Sequence, residues 1–245
     1  MRVPERRAVE LNEVSWWSRW ARLVRRGDGY LLSSDALREP FFNRAGALTC
    51  RGTAGTAEWA ERYFGGSGMS TTFVAFASCA SLDLLRSSGY MQVDRMNVLV
   101  SKGPTKEVGD ERGTVRASPG SWTAAYLRSF YGDEELTGTV EPIVASILKD
   151  RAATLLERRA GGETAGVIAL FRTRGVLGVY CVGTLPEHRR QGIATALLAK
   201  ARQVAENEGR SLVLQTLASE GAIQLYLDNG FEPMYDKVVL EKRLK

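Results

Sequence analysis

The spacing of apolar and polar positions changes several times along the chain, and the changes mark out its elements. Over residues 154–159, 165–172 and 176–184 apolar residues run together or alternate, which predicts three strands; Gly161-Gly162 and Arg174-Gly175 between them supply hairpin turns. Beyond Pro186 the spacing lengthens to a helical one, with Ile193, Leu197, Leu198, Ala201, Val204 and Ala205 on one face. A short apolar strand follows at 211–215. Upstream, helices are predicted over 122–130, capped by Ser121, and over 140–149.

The first half is less regular. A helix is predicted over 10–26, with Asn12 as its cap and Gly27 as its stop, followed by a strand at 46–50, a helix at 56–63 and a strand at 71–76. The first helix carries Trp16, Trp17 and Trp20, which suit core packing or an aromatic wall for a substrate or membrane. A repeat is also visible. Residues 81–90, ending in Gly89-Tyr90 and running into the strand Met96-Asn97-Val98-Leu99-Val100, lie over residues 222–231, ending in Gly230-Phe231 and running into Lys237-Val238-Val239-Leu240-Glu241. The polar stretch 101–113, with Gly103, Pro104, Gly109 and Gly113, reads as the linker between two modules, 1–105 and 112–245.

The densest chemical signal sits where the third strand of the second module gives way to its helix, at Val182-Gly183-Thr184-Leu185-Pro186-Glu187-His188-Arg189-Arg190-Gln191-Gly192-Ile193-Ala194-Thr195. The first N–H groups of that helix have no intrahelical partner, and the helix dipole and two arginines add positive charge, so the turn is suited to an anion such as a phosphate. A side chain at Gly192 would hold the anion away from the main chain.

Arg189-Arg190-Gln191-Gly192-Ile193-Ala194 resembles the R/Q-x-x-G-x-G/A turn with which the GNAT superfamily of N-acyltransferases grips the pyrophosphate of acetyl-CoA. Downstream, Ser219-x-x-Ala222-x-x-Leu225-Tyr226-x-x-x-Gly230-Phe231 resembles the family's N-x-x-A-x-x-L-Y-x-x-x-G-F segment, with Ser219 where asparagine is common. The two motifs occur in the family's order and spacing, and the resemblance covers roughly the last 130 residues. It implies an α/β (α+β) fold, a mixed and mostly antiparallel sheet flanked by helices. With the repeat, it implies two tandem modules: a degenerate GNAT-like N-terminal module (1–105) and an acetyl-CoA-binding catalytic module (112–245). In the first module Leu85 stands where Tyr226 stands in the second, and residues 49–55 lack the phosphate-gripping spacing, so that module is expected to close one side of the acceptor cleft rather than to bind coenzyme.

The resemblance also implies roles. Val182, Gly183 and Thr184 would pair through their main chain with the pantetheine arm, with an N–H near Val182 facing the thioester carbonyl. Arg189, Arg190, Gln191, Gly192, Ile193, Ala194 and Thr195 would hold the pyrophosphate, and Ser219 would add a hydroxyl contact to the coenzyme. Tyr226 would give a proton to the departing thiolate. The general base stays open among Glu187, His188 and a water relayed to Glu157. His188 suits shaping of the phosphate loop, and Cys181 reads as a buried inert thiol. The reaction implied is transfer of an acetyl group from acetyl-CoA to a primary amine, the acceptor being a small molecule or a peptide. The alternative is a non-catalytic acyl-CoA-binding sensor or scaffold, with a basic RNA-associated protein as a third reading.

Composition adds bounds. With 245 residues, 44% hydrophobic and 25% charged, the chain has the makeup of an ordinary soluble protein with room for two cores. No apolar run is long enough to span a bilayer, and the basic start lacks a signal peptide's apolar segment, so a cytoplasmic location and no membrane partner are expected. Cys50, Cys79 and Cys181 have no metal spacing and leave one cysteine unpaired, which suits a reducing compartment; one histidine gives a zinc site too few ligands, so no metal is expected. The net charge of +5 favours an anionic ligand over nucleic acid.

Overall fold

The computed structural model describes residues 3–102 and 113–243; the expected linker lies almost wholly outside the described residues. The strands are β1 (Arg22–Arg26), β2 (Gly29–Ser33), β3 (Arg44–Ala47), β4 (Thr71–Phe76), β5 (Met91–Ser101), β6 (Thr114–Arg116), β7 (Ala153–Ala160), β8 (Glu163–Thr173), β9 (Val176–Thr184), β10 (Ser211–Leu217) and β11 (Phe231–Lys242). The helices are α1 (Arg6–Trp17), α2 (Thr53–Gly65), α3 (Leu82–Ser87), α4 (Pro119–Phe130), α5 (Thr137–Ile147), α6 (Ile193–Asn207) and α7 (Ile223–Asp228). The chain divides into two compact units. The carboxy-half unit comprises Met1–Asn12, Val100–Leu214 and Leu225–Glu232, and the amino-half unit comprises Glu13–Leu99, Gln215–Gln224 and Pro233–Lys245.

In the carboxy-half unit the strand order is β10-β9-β8-β7-β6, antiparallel except for the β9/β10 pair. Val167 to Phe171 of β8 are at most 1% exposed, an uninterrupted apolar run that marks a strand covered on both faces. Each such side chain contributes about 1.5–3 kcal/mol by leaving water. Two glycines show which helix lies on which face: a Cβ at Gly166 would meet Ile193 Cγ2 of α6 at 2.6 Å, and one at Gly183 would meet Ser129 of α4 at 2.9 Å. Ser118, not Ser121, caps α4, its hydroxyl accepting the Ser121 N–H at 3.3 Å.

In the amino-half unit the order is β1-β2-β3-β4-β11-β5, with β3 and β4 parallel and β1/β2, β2/β3 and β4/β11 antiparallel. The predicted long first helix is shorter and earlier: α1 ends at Trp17, and residues 22–33 form a hairpin turning at Gly27-Asp28. The Trp16/Trp20 spacing suggested one continuous helix, but Leu23 and Val24 belong to a strand paired with β2. Asn12 is no cap. It is buried inside α1, where its amide donates to Phe171 O at 3.0 Å and its oxygen accepts the Tyr180 hydroxyl at 2.7 Å. Trp16, Trp17 and Trp20 are at most 9% exposed; Trp16 packs edge-on to Trp17 and Trp20, Trp17 edge-on to Phe41 and Phe42, and Trp20 lies tilted against Phe42.

The repeated pattern has a structural counterpart in element order. Helix α7 starts 141 positions after α3 (Leu82 to Ile223), both span six residues, and each leads through a glycine to a buried aromatic, Tyr90 or Phe231, and a long strand. Each is preceded by a parallel strand pair joined by a helix, β3-α2-β4 and β9-α6-β10.

Candidate acyl-CoA site

Strand β9 pairs with β10 only from Val176↔Ser211 to Val179↔Leu214, whereas its pairing with β8 continues to Gly166↔Thr184. The register to β8 shifts between Val167 and Ala169, so that Cys181 and Val182 of β9 lie opposite the single Ile168 of β8, which is a β-bulge. Cys181 sits in it at φ +52° and is half-buried rather than fully buried; it is not in a disulfide. The result is a stretch, Tyr180 to Thr184, that is held on its β8 side and carries Val182, Gly183 and Thr184 beyond the end of the β9/β10 ladder. Nothing in Tyr180-Cys181-Val182 announced the bulge, because it contains no glycine or proline.

Pro186–His188 then make one 3-10 turn, Arg190 (φ +58°) and Gly192 (φ +78°) take left-handed backbone, and α6 begins at Ile193. Gly192 caps α6 without a side-chain hydrogen bond, the first turn of α6 holds no acidic residue, and Ala196 N to Gly192 O at 2.9 Å is the first bond of its ladder. The N–H groups of Ile193, Ala194 and Thr195 therefore precede the ladder and are available to an anion. A Cβ on Gly192 would touch nothing within 4 Å, so glycine is required here by backbone conformation in addition to any crowding of a ligand. Arg189, Arg190 and Gln191 are exposed; Arg189 Nε approaches Thr184 O at 3.5 Å and Gln191 Nε2 donates to Glu187 O at 3.0 Å, so both side chains fold over the turn.

Tyr226 is 7% exposed on α7, its ring edge-on to Phe231 at 6.2 Å between centroids. The turn after α7 is fastened to α6. Arg202 donates to Asn229 O and, at 3.1 Å, to Ser101 Oγ, with its guanidinium 5.8 Å from the Phe231 ring, and Asn229 Nδ2 reaches Thr195 Oγ1 at 3.5 Å. Thus the helix bearing Tyr226 and the helix bearing the anion turn are locked together through a buried arginine that sequence reasoning passed over. Its signal was weak: one charge on the apolar face of α6.

Ser219 lies in the other unit. Its N–H and hydroxyl both donate to Asp94, at 3.4 and 2.5 Å, so donation to a coenzyme requires that pair to open. Among the candidates for general base, Glu187 is ion-paired with Arg128 at 2.5 Å. Hydrogen bonding from its own backbone, then Arg128, hold its carboxyl below the usual range and make it a weaker proton acceptor. His188 is half-buried in the 3-10 turn, its N–H donating to Leu185 O at 2.9 Å. Glu157 is fully buried on the α4 face of the sheet, in one cross-strand row with Val167 and Gly183, and so about 10 Å along the sheet from Gly183. Ser121 Oγ and Arg159 Nε donate to its two oxygens at 2.5 and 2.9 Å.

Cys50 and Cys79 form a disulfide with Cα atoms 5.3 Å apart. It joins the turn after β3 to the turn after β4. The spacing of the cysteines did not foretell the pair, and a bonded pair removes the support that the cysteines lent to a reducing compartment.

The site is thus a strand freed beyond a parallel pair, followed by a left-handed glycine and an open helix N-terminus. Residues 151–233 match the model described as acetyltransferase (GNAT) domain. N-acetyltransferase 8 of Rattus norvegicus is 32% identical over 98 residues, 37% of this chain and 44% of that protein, so the match spans less than half of the curated relative. A GCN5-related N-acetyltransferase from Kribbella flavida superposes with a TM-score of 0.69 at 20% identity over 97% of this chain and 96% of its own, and one from Sphaerobacter thermophilus with 0.65 at 20% identity over 88% and 76%. The fold is shared along nearly the whole chain with the Kribbella flavida structure. Among the described residues no helix is long and apolar enough to cross a membrane.

Proposed function

We propose that the protein transfers an acetyl group from acetyl-CoA to a primary amine by direct attack in a ternary complex. The single observation that carries this reading is the end of the β9/β10 ladder at Val179 and Leu214, immediately ahead of an anion turn with three N–H groups available. In the proposal, acetyl-CoA supplies an activated thioester, and the chain holds it. Arg189, Arg190, Gln191 and the N–H groups of Gly192, Ile193, Ala194 and Thr195 take the pyrophosphate. The main chain of Val182, Gly183 and Thr184 takes the pantetheine arm, and the Val182 N–H stabilises the negative charge that grows on the carbonyl. Ser219 adds a contact once released from Asp94. Holding amine and acyl carbon together lowers the barrier without a covalent enzyme intermediate. Tyr226 donates its phenolic proton to the departing thiolate.

The amino-half unit is proposed as the degenerate copy. The matching element order supports this, as does its disulfide: where the β9/β10 ladder ends unstitched, Cys50–Cys79, Cα atoms 5.3 Å apart, joins the turns that follow β3 and β4, which obstructs an extended arm beyond that parallel pair. The test is thiol release from acetyl-CoA over a panel of amines. Tyr226→Phe is expected to lower kcat by about 100-fold or more while acetyl-CoA binding stays within about twofold. Saturable binding with no turnover on any amine would instead support a sensor or scaffold.

A further inference from the structure

Away from the acyl-CoA turn, the amino-half unit has a pocket of about 270 Å³ between the β1–β2 hairpin and one face of α2. Arg26 enters it from the hairpin, and Arg51 and Arg62 from before and along α2. Among the described residues none of the three is held in an ion pair. Arg26 lies over the ring of buried Trp59 at 4.8 Å, which fixes its guanidinium against an apolar wall. The one carboxylate of the lining, Asp28, accepts the Thr49 hydroxyl at 2.6 Å, so the pocket keeps an excess of positive charge.

The walls are close-fitting. A Cβ on Gly29 would fall 2.1 Å from Thr56 Oγ1 and one on Gly52 would fall 3.2 Å from Asp28 Cβ, so hairpin and helix meet only because both positions lack side chains. Leu48 N to Asp28 O at 2.8 Å fastens the hairpin tip from the other side. Three exposed arginines against one carboxylate line this glycine-bearing recess, and guanidinium groups match the geometry and charge of phosphate oxygens. The Gly52 N–H is already used, donating to Thr49 O at 3.3 Å, whereas Gly55 in the first turn of α2 also lines the recess.

We propose that this pocket is a second anion site, for a phosphate or diphosphate group, independent of the acyl-CoA turn and too small to admit a coenzyme's pantetheine arm. The test is calorimetric titration of the intact chain with inorganic pyrophosphate. Arg51→Gln with Arg62→Gln is expected to weaken one class of pyrophosphate site at least tenfold, while Gly192→Glu leaves that class unchanged. Arg51→Lys with Arg62→Lys, which keeps the charge, is expected to recover most of the affinity, and separates a binding defect from a folding one. Equal affinity for pyrophosphate and for ADP would show that the site reads phosphate from either source. The proposal is overturned if the Gln variant binds pyrophosphate as the wild type does, or if Gly192→Glu alone removes all binding. Loss of the site in the Gln variant with no effect of Gly192→Glu would sustain this proposal and sink the acyl-CoA assignment, so the two fail separately.

Discussion

Gly192 carries two demands at once, and they can be separated. Its left-handed φ of +78° costs an L-residue about 1–2 kcal/mol, whereas the space around its absent Cβ is open. Gly192→Ala is therefore expected to lower unfolding free energy by about 1 kcal/mol in urea titration. A larger loss of acetyl-CoA affinity than of stability would report crowding of the ligand. Glu13 poses a different problem. It is fully buried with Arg44 at 2.8 Å and Lys237 at 2.5 Å, and Gln215 also bonds the lysine. Burial pushes its carboxyl up, but Lys237 and then Arg44 outweigh this and hold it below the ordinary 4.5. A depressed folded value means that the stabilisation is fully present above the unfolded value and is lost as pH falls through the folded one. Glu13→Gln is expected to cost about 3–5 kcal/mol at neutral pH, because two cations lose their buried partner. It should also flatten the fall in stability below pH 4.5, measured by denaturant titration across pH. None of this was legible beforehand: Glu13, Arg44 and Lys237 lie far apart in sequence, and each reads alone as an exposed charge.

At the scale of elements, β7 to β10 were readable to within a residue or two, since Gly161-Gly162 and Gly175 punctuate runs whose two-sided burial leaves an apolar signature, whereas the short, partly exposed β6 was not read. The hairpin β1–β2 was not, because its outward positions carry arginines whose spacing continues that of α1. The anion turn was legible because its glycine and arginines carry the chemistry themselves. The bulge at Cys181 was hidden because bulges are set by pairing to a neighbour, not by local residue type. The staple between the turns after β3 and β4 closes a 29-residue loop and, in the chain-entropy picture, restrains the unfolded chain by about 3–4 kcal/mol. Reduction, or Cys50→Ser with Cys79→Ser, is expected to lower the amino-half unit's unfolding free energy by an amount of that order. Equal stability with and without reductant would show that the pair contributes nothing.

On the scale of the molecule, a linker read at 101–113 suggested two units that are contiguous in sequence, yet neither compact unit is. The amino-half unit includes Pro233–Lys245, and the pairing of β11 with β4, from Lys237↔Phe76 to Lys242↔Thr71, lies inside it. The periodicity of a strand predicts that it will pair but not with which partner, so this exchange of segments had no local signature. A fragment of residues 1–105 is therefore expected to be insoluble or to lack cooperative unfolding in circular dichroism, although it contains every residue of the sequence-defined first module.

The late arrival of β11 bears on how the protein is made. While the ribosome produces residues 100–230, which takes roughly 7–26 s at about 5–20 residues per second, β4 is already complete and the edge that later pairs with β11 stays unfilled. Newborn chains thus carry a sticky border until β11 emerges, and its pairing with β4 decides whether the nascent polypeptide closes or clumps.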